Sequence, residues 1–115
     1  MTAEEMKIRT KQFAINIAKL ALELPYSEVN KPYKSQIIRS SSSVGANYRA
    51  SRRAKSNADF INKLKIVEEE LDESLFFLEL LVEFNPSKKE KIAELYIEGE
   101  TLLKIIVASI VSSRK

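Results

Sequence analysis

Proline occurs only at positions 25, 32 and 86 of the 115 residues, and glycine only twice. Proline is at home in the first turn of a helix or beyond its end and disrupts one from within. A chain punctuated this sparsely is therefore divided into long runs with nothing to interrupt a helix. Within those runs the apolar residues recur at helical spacing, and no strand-like alternation competes.

In the first run Met6, Thr10, Phe13, Ile17, Leu20 and Leu24 follow alternating steps of four and three and form one face. Thr2 with Glu5 makes a capping box before it, and Pro25 ends it. The second helix is expected from near Pro32 to about Lys55, with Ile37, Ser41, Val44 and Tyr48 inward. Ser56 and Asp59 repeat the capping pattern and open a third helix carrying Phe60, Leu64, Val67, Leu71, Leu75, Leu78 and Val82, which stops near Phe84. Ser87 and Glu90 supply another box for a fourth, with Ile92, Leu95, Gly99, Leu102 and Ile106 on one stripe toward Ile110. Each helix is roughly 33 to 42 Å long at 1.5 Å per residue. Similar lengths and short connectors predict an all-α fold, an antiparallel up-down-up-down four-helix bundle, with residues 1–115 as a single domain.

The chain has neither cysteine nor histidine. Disulfides, thiolate metal sites, Ser-His and Cys-His pairs and imidazole ligands are thereby excluded, and any chemistry would fall to carboxylates, lysines or hydroxyls. The leading residues carry charges where a signal peptide needs an apolar core, and the longest strongly apolar run, residues 102–111, is too short for a bilayer. These features predict a soluble cytoplasmic protein without membrane contact.

Charge is unevenly placed. Residues 1–65 hold thirteen Lys/Arg and five Asp/Glu, a balance of +8, whereas residues 66–115 hold six and eleven, a balance of −5. A basic half can attract phosphate backbones or acidic proteins.

The stretch RSSSSVGANYRASRRAK, residues 39–55, concentrates these features. Gly45 stands alone without the G-K-[ST] ending of a phosphate loop. On a helix, Ser42, Ala46, Ala50, Ala54 and Ala58 recur every four positions as a small-residue row that would let helices approach closely, extended by Ser41 and Gly45. Serine hydroxyls there can bond to carbonyls one turn earlier. Arg49, Arg52, Arg53 and Lys55 gather at the end of the second helix, and Lys63 and Lys65 begin the third. They read either as a solvated end complementing the helix dipole or as a patch for phosphate contacts. Antiparallel pairing around Ser56 sets Glu73 opposite Arg39 and predicts an ion pair between them.

The acidic run EEELDE, residues 68–73, places Glu69, Asp72 and Glu73 on one surface, and Glu94 and Glu98 stand on the fourth helix. A magnesium-dependent nucleotide enzyme could use such carboxylates, but a solvated face with an interhelix pair explains them too. No E-x-x-H motif of a di-iron bundle occurs. No catalytic residue, metal ligand or cofactor is therefore assigned. Phe76 and Phe77 are adjacent and cannot both face one core, so one is expected to face a partner chain; Leu103, Ile105, Val107 and Val111 likewise add apolar surface and suggest self-association.

Residues 41–81, SSSVGANYRASRRAKSNADFINKLKIVEEELDESLFFLELL, resemble the signature region of the 23S rRNA intervening-sequence protein family. The likeness rests on Ser43, Gly45, Ala46, Asn47, Tyr48 and Arg49, then Ala58, Asp59 and Phe60, then Asp72, Glu73 and Leu78 to Leu81. It departs at Ala50, where the family often has an acidic residue, and at Phe76 and Phe77, where it often has a pair with tryptophan. The resemblance implies a four-helix protomer in a closed homo-oligomer, typically a pentamer, without known catalysis. It also implies kinship with accessory proteins of diversity-generating retroelements, whose basic surface is thought to engage nucleic acid and a reverse transcriptase.

The leading expectation is thus a non-enzymatic homo-oligomer that binds RNA or DNA backbone through Arg49, Arg52, Arg53, Lys55, Lys63 and Lys65. The alternatives are a protein-interaction scaffold, distinguished by a partner that survives nuclease treatment, and a magnesium enzyme, distinguished by phosphate release that Glu69→Ala abolishes.

Overall fold

The computed structural model describes all of Met1–Lys115 and contains four α-helices and no strand: α1 (Ala3–Glu23), α2 (Asn30–Ser51), α3 (Asn57–Phe84) and α4 (Lys89–Ser113), with one 3₁₀ turn at Pro86–Lys88. The molecule measures 45 × 21 × 19 Å. A 28-residue helix is about 42 Å long, so the helices lie along the long axis. Successive helices pack side by side and α4 closes against α1, whereas the backbones of the diagonal pairs α1/α3 and α2/α4 do not come within 8 Å of each other at Cα. Across three of the neighbouring pairs the following contacts descend in register. Thr10 lies beside Gly45 while Lys34 reaches the Leu24 carbonyl, Asn30 meets Asn85 while Ser40 meets Ser74, and Arg9 pairs with Glu98 while Glu23 pairs with Lys88. No helix is long and apolar enough to cross a membrane.

Local chemistry sets the boundaries. Thr2 caps α1 by accepting the Glu5 N–H at 3.1 Å, and its hydroxyl donates to the Glu5 carboxylate. Ser56 accepts the Asp59 N–H at 3.0 Å and starts α3. The box expected from Ser87 does not form, because Pro86 opens a 3₁₀ turn in which Lys88 N–H donates to Asn85 O, and α4 begins at Lys89 without a side-chain cap. The second helix also differs from expectation. It starts two residues before Pro32 and ends at Ser51, so Arg52, Arg53 and Lys55 lie in the turn beyond it.

One buried cluster joins all four helices and includes Phe13, Ile17, Val44, Leu64, Leu71, Leu78, Leu102 and Ile106. Between α2 and α3 its packing is partly polar. Ser40 and Ser74, both fully buried, share a 2.9 Å hydrogen bond; with Ser74 donating to Glu70 O at 2.9 Å, Ser40 is the donor between the two hydroxyls. Ser41 and Ser51 donate to Ile38 O and Tyr48 O of their own helix, so burial leaves no side-chain polar atom unpartnered.

The small-residue row needs correction. Ser42 and Ala46 are exposed, and Ala54 lies past the end of α2, so this row does not form a helix interface; the buried small residues are Ser40, Ser41, Gly45 and Ser51. Gly45 is not forced by crowding either, since a Cβ there would lie an ordinary 3.6 Å from Thr10. Gly99 is the crowded glycine: its Cβ would come 2.7 Å from Leu75 Cδ2 and 3.3 Å from the Phe13 ring. Phe77 packs on the core beside Tyr33, with ring centroids 6.0 Å apart, while Phe76 remains 54% exposed. Leu103 and Ile105 are partly covered, and Val107 and Val111 face outward.

Candidate functional site

The turn between α2 and α3 is held as tightly as a helix end allows. Arg52 N–H reaches the carbonyls of Tyr48 and Arg49, Arg53 N–H that of Ala50 and Ala54 N–H that of Ser51, so the last turn narrows to i→i+3 bonds. Ser56 then turns extended, and Asp59 accepts the Lys55 N–H at 3.2 Å and the Lys63 ammonium at 3.2 Å. The Lys55 N–H, and secondly Lys63, hold the Asp59 carboxyl below its usual range.

This framework spreads the predicted cations around the rim of the bundle. Arg49 is exposed and borders a shallow groove with Lys11, Ala14, Ser42, Gly45 and Ala46. Arg52 lays its guanidinium 5.6 Å from the centroid of the Phe60 ring. Arg53 and Lys55 are exposed on the turn. Lys63 is engaged by Asp59, while Lys65, two residues on and therefore on another face of α3, is exposed. Asn57 Nδ2 donates to Ser113 O at 2.9 Å and tethers the end of α4 here, adding Arg114 and Lys115 to the same rim. Arg49, Arg52, Arg53, Lys55, Lys65, Arg114 and Lys115 form no ion pair.

Residues 1–8, 48–65 and 106–115 make up this end and hold nine Lys/Arg against three Asp/Glu, a balance of +6. The opposite end, residues 19–36 and 79–95, holds six of each. There Glu23 accepts Lys88 at 2.8 Å and Lys91 at 2.5 Å, which lower its pKa to about 2. The same end carries a buried amide pair: Asn30 Nδ2 donates to Asn85 Oδ1 at 2.9 Å and Asn85 Nδ2 returns the bond at 2.8 Å, while the two amides also bond Pro25 O and Leu81 O. Net charge is thus balanced at one end, where Lys88 and Lys91 are paired and Lys19, Lys31, Lys34 and Lys89 are not, and is positive at the other.

Arg39 lies midway, on the surface between α2 and α3, and contacts Glu73 and, at 2.9 Å, Glu70. On the opposite side Arg9 holds Glu98 through two 2.7 Å bonds, which raise the Arg9 pKa. These pairs divide the acidic residues. Glu69 and Asp72 are exposed, Glu70 and Glu73 face Arg39, Glu98 faces Arg9, and no three carboxylates converge as a metal site requires.

Sequence reasoning missed Arg114, Lys115, the Asn30–Asn85 pair and the Arg9–Glu98 pair. Applying descending register to α3 and α4 as well as to α2 and α3 brings the end of α4 beside Asn57 and would have found the first two. The asparagines carry only the signal of flanking a proline-marked turn.

The model of the 23S rRNA-intervening sequence protein family matches residues 4–108. Among solved structures, the chain is similar to a protein of unknown function from the S23 ribosomal protein family of Bacteroides thetaiotaomicron, with 33% identity and a TM-score of 0.80 over 91% of this chain and 97% of that one. No curated protein matches.

Proposed function

The chain belongs to the 23S rRNA-intervening sequence protein family, and on that premise we propose that it is a non-enzymatic cytoplasmic bundle of antiparallel up-down helices that binds nucleic-acid backbone through its basic end. The observation that carries this reading is the imbalance between the ends: +6 with most cations unpaired at one, zero at the other. Phosphate contacts need cations that are not already neutralised, and binding through them releases counterions regardless of base sequence. Arg49, Arg52, Arg53, Lys55 and Lys65 form the binding set with Arg114 and Lys115. Lys63 plays a lesser part because Asp59 holds it.

Closed homo-oligomerisation is the second element of the reading. It is supported by the exposure of large apolar side chains, Ile8 and Leu22 on α1 and Phe76, Ile97, Val107 and Val111 on α3 and α4 among them. A ring would repeat the basic end around an axis and multiply a weak contact.

Fluorescence anisotropy with labelled RNA and DNA over a salt series tests the proposal. Binding at low salt that weakens linearly in log–log form, and that falls more than tenfold in the triple variant Arg49→Gln, Arg52→Gln, Arg53→Gln, is expected. Absence of binding at low salt, or binding unaffected by the triple variant, refutes it.

A further inference from the structure

Phe60 occupies an unusual place for an aromatic residue of α3. It sits in the first turn of the helix, only partly buried, with Arg52 above its ring. The same ring forms one wall of an open groove of about 420 Å³ between the start of α3 and the end of α4, whose remaining lining is Ile105, Ala108, Ser109, Ser112 and Ser113. The hydroxyls of Ser109 and Ser113 are spent on carbonyls of their own helix, while Ser112 is exposed. The groove therefore offers a flat ring, methyl and methylene surface and one free hydroxyl, with the unpaired Arg52 against its ring and the unpaired Arg114 next in the chain to Ser113.

We propose that this groove receives an unpaired nucleobase, which stacks on the Phe60 and Arg52 pair while the surrounding cations hold the adjoining phosphates, so that the basic end prefers single strands to duplex. The inference deepens the nucleic-acid reading above and rests on it. A flat π surface accepts any base, because every base has a face to stack, whereas a base inside a duplex is already covered by its neighbours. An arginine over a ring extends the stacking surface and carries charge to the phosphate beside it. Charge complementarity selects this occupant over an apolar one, since an uncharged side chain entering here would leave the cations of the rim unanswered.

The experiment compares three probes of equal length with the full chain: a single-stranded pyrimidine oligonucleotide, its duplex, and an abasic strand with the same phosphates. A surface that reads charge alone favours the duplex, whose charge density is higher. The proposal expects the reverse order, with the abasic strand bound about tenfold more weakly than the pyrimidine strand. Phe60→Leu should make the pyrimidine and abasic strands equal. Because Phe60 also touches the core, Ala108→Gln, which fills the groove from an exposed position, serves as the second variant and should have the same effect. Preference for the duplex together with equal binding of pyrimidine and abasic strands overturns the stacking site and leaves backbone binding standing. Failure of all three probes to bind overturns both. Loss of self-association in Ala108→Gln, with base dependence unchanged, assigns the groove to a second copy of the chain and overturns the proposal.

Discussion

The two ends of this bundle solve the same problem in opposite ways. Both must reverse the chain and satisfy the backbone groups of helix termini. At the end built from the α1–α2 and α3–α4 connectors, reversal is secured internally: two asparagines bury their amides against each other, and Lys88 and Lys91 are answered by Glu23. At the α2–α3 end, Ser56 and Asp59 satisfy the backbone with short side chains, which leaves the long cationic ones other than Lys7 and Lys63 without an ion pair. The contrast shows that a chain reversal can be hydrogen-bonded without consuming its charge, and unpaired cations are what a phosphate backbone can use.

Asn85→Ala should break this contrast most severely. It leaves the buried Asn30 Oδ1 without a donor and removes the bond to Leu81 O, and each unsatisfied buried group costs about 1 to 3 kcal/mol, so a loss of about 3 kcal/mol in urea unfolding is expected, with nucleic-acid affinity retained wherever the protein is folded. A loss below about 1 kcal/mol would mean that water replaces the missing partner without difficulty. Next in size, Arg52→Gln with Arg53→Gln should weaken binding about tenfold and reduce the salt slope by about 2, at little cost in stability. Lys88→Gln with Lys91→Gln, the matched change at the other end, should leave both affinity and slope nearly unaltered. Equal effects from the two pairs would erase the distinction between the ends.

Smaller still, Ser56→Ala removes the cap of α3 and should cost about 1 kcal/mol, read as a lower melting temperature. The least effect is expected from acid. Lys88 first, and then Lys91, lower Glu23 from the ordinary 4.5 to about 2, so its contribution is complete above about pH 4.5 and is lost as pH falls toward 2. Glu23→Gln should remove this component from the acid limb of a stability profile, and the surface setting keeps it small. An acid limb identical in the variant would show that the two lysines do not hold Glu23 in solution.

Much of the fold was legible because helical period and capping chemistry are local. Thr2 and Ser56 cap where their spacing to Glu5 and Asp59 indicated, and the inward stripes from Met6 to Leu20 and from Leu64 to Leu78 are buried. The end of α2 was misplaced by four residues because nothing in ASRRAKS forbids a further helical turn; the chain stops there because Ser56 must become extended to cap α3. The Ser42 and Ala46 row was misread for a related reason. Periodicity groups residues onto faces but does not say which face meets another helix, and here Val44 and Tyr48 turn that row toward solvent.

The candidate site divides along the same line. The abundance of cations between Arg49 and Lys65 is a property of composition, and the sequence by itself determined it, together with the four helices, their core stripes and the family. Only the tertiary structure decided which of those charges are free. It tied Lys63 to Asp59, laid Arg52 over Phe60, brought Arg114 and Lys115 across from α4, and gave Lys88 and Lys91 to Glu23. The reason is physical: hydrogen bonding within a helix and the grouping of side chains onto one face depend on neighbours three and four residues away, whereas the neutralisation of a charge depends on whichever helix happens to lie beside it.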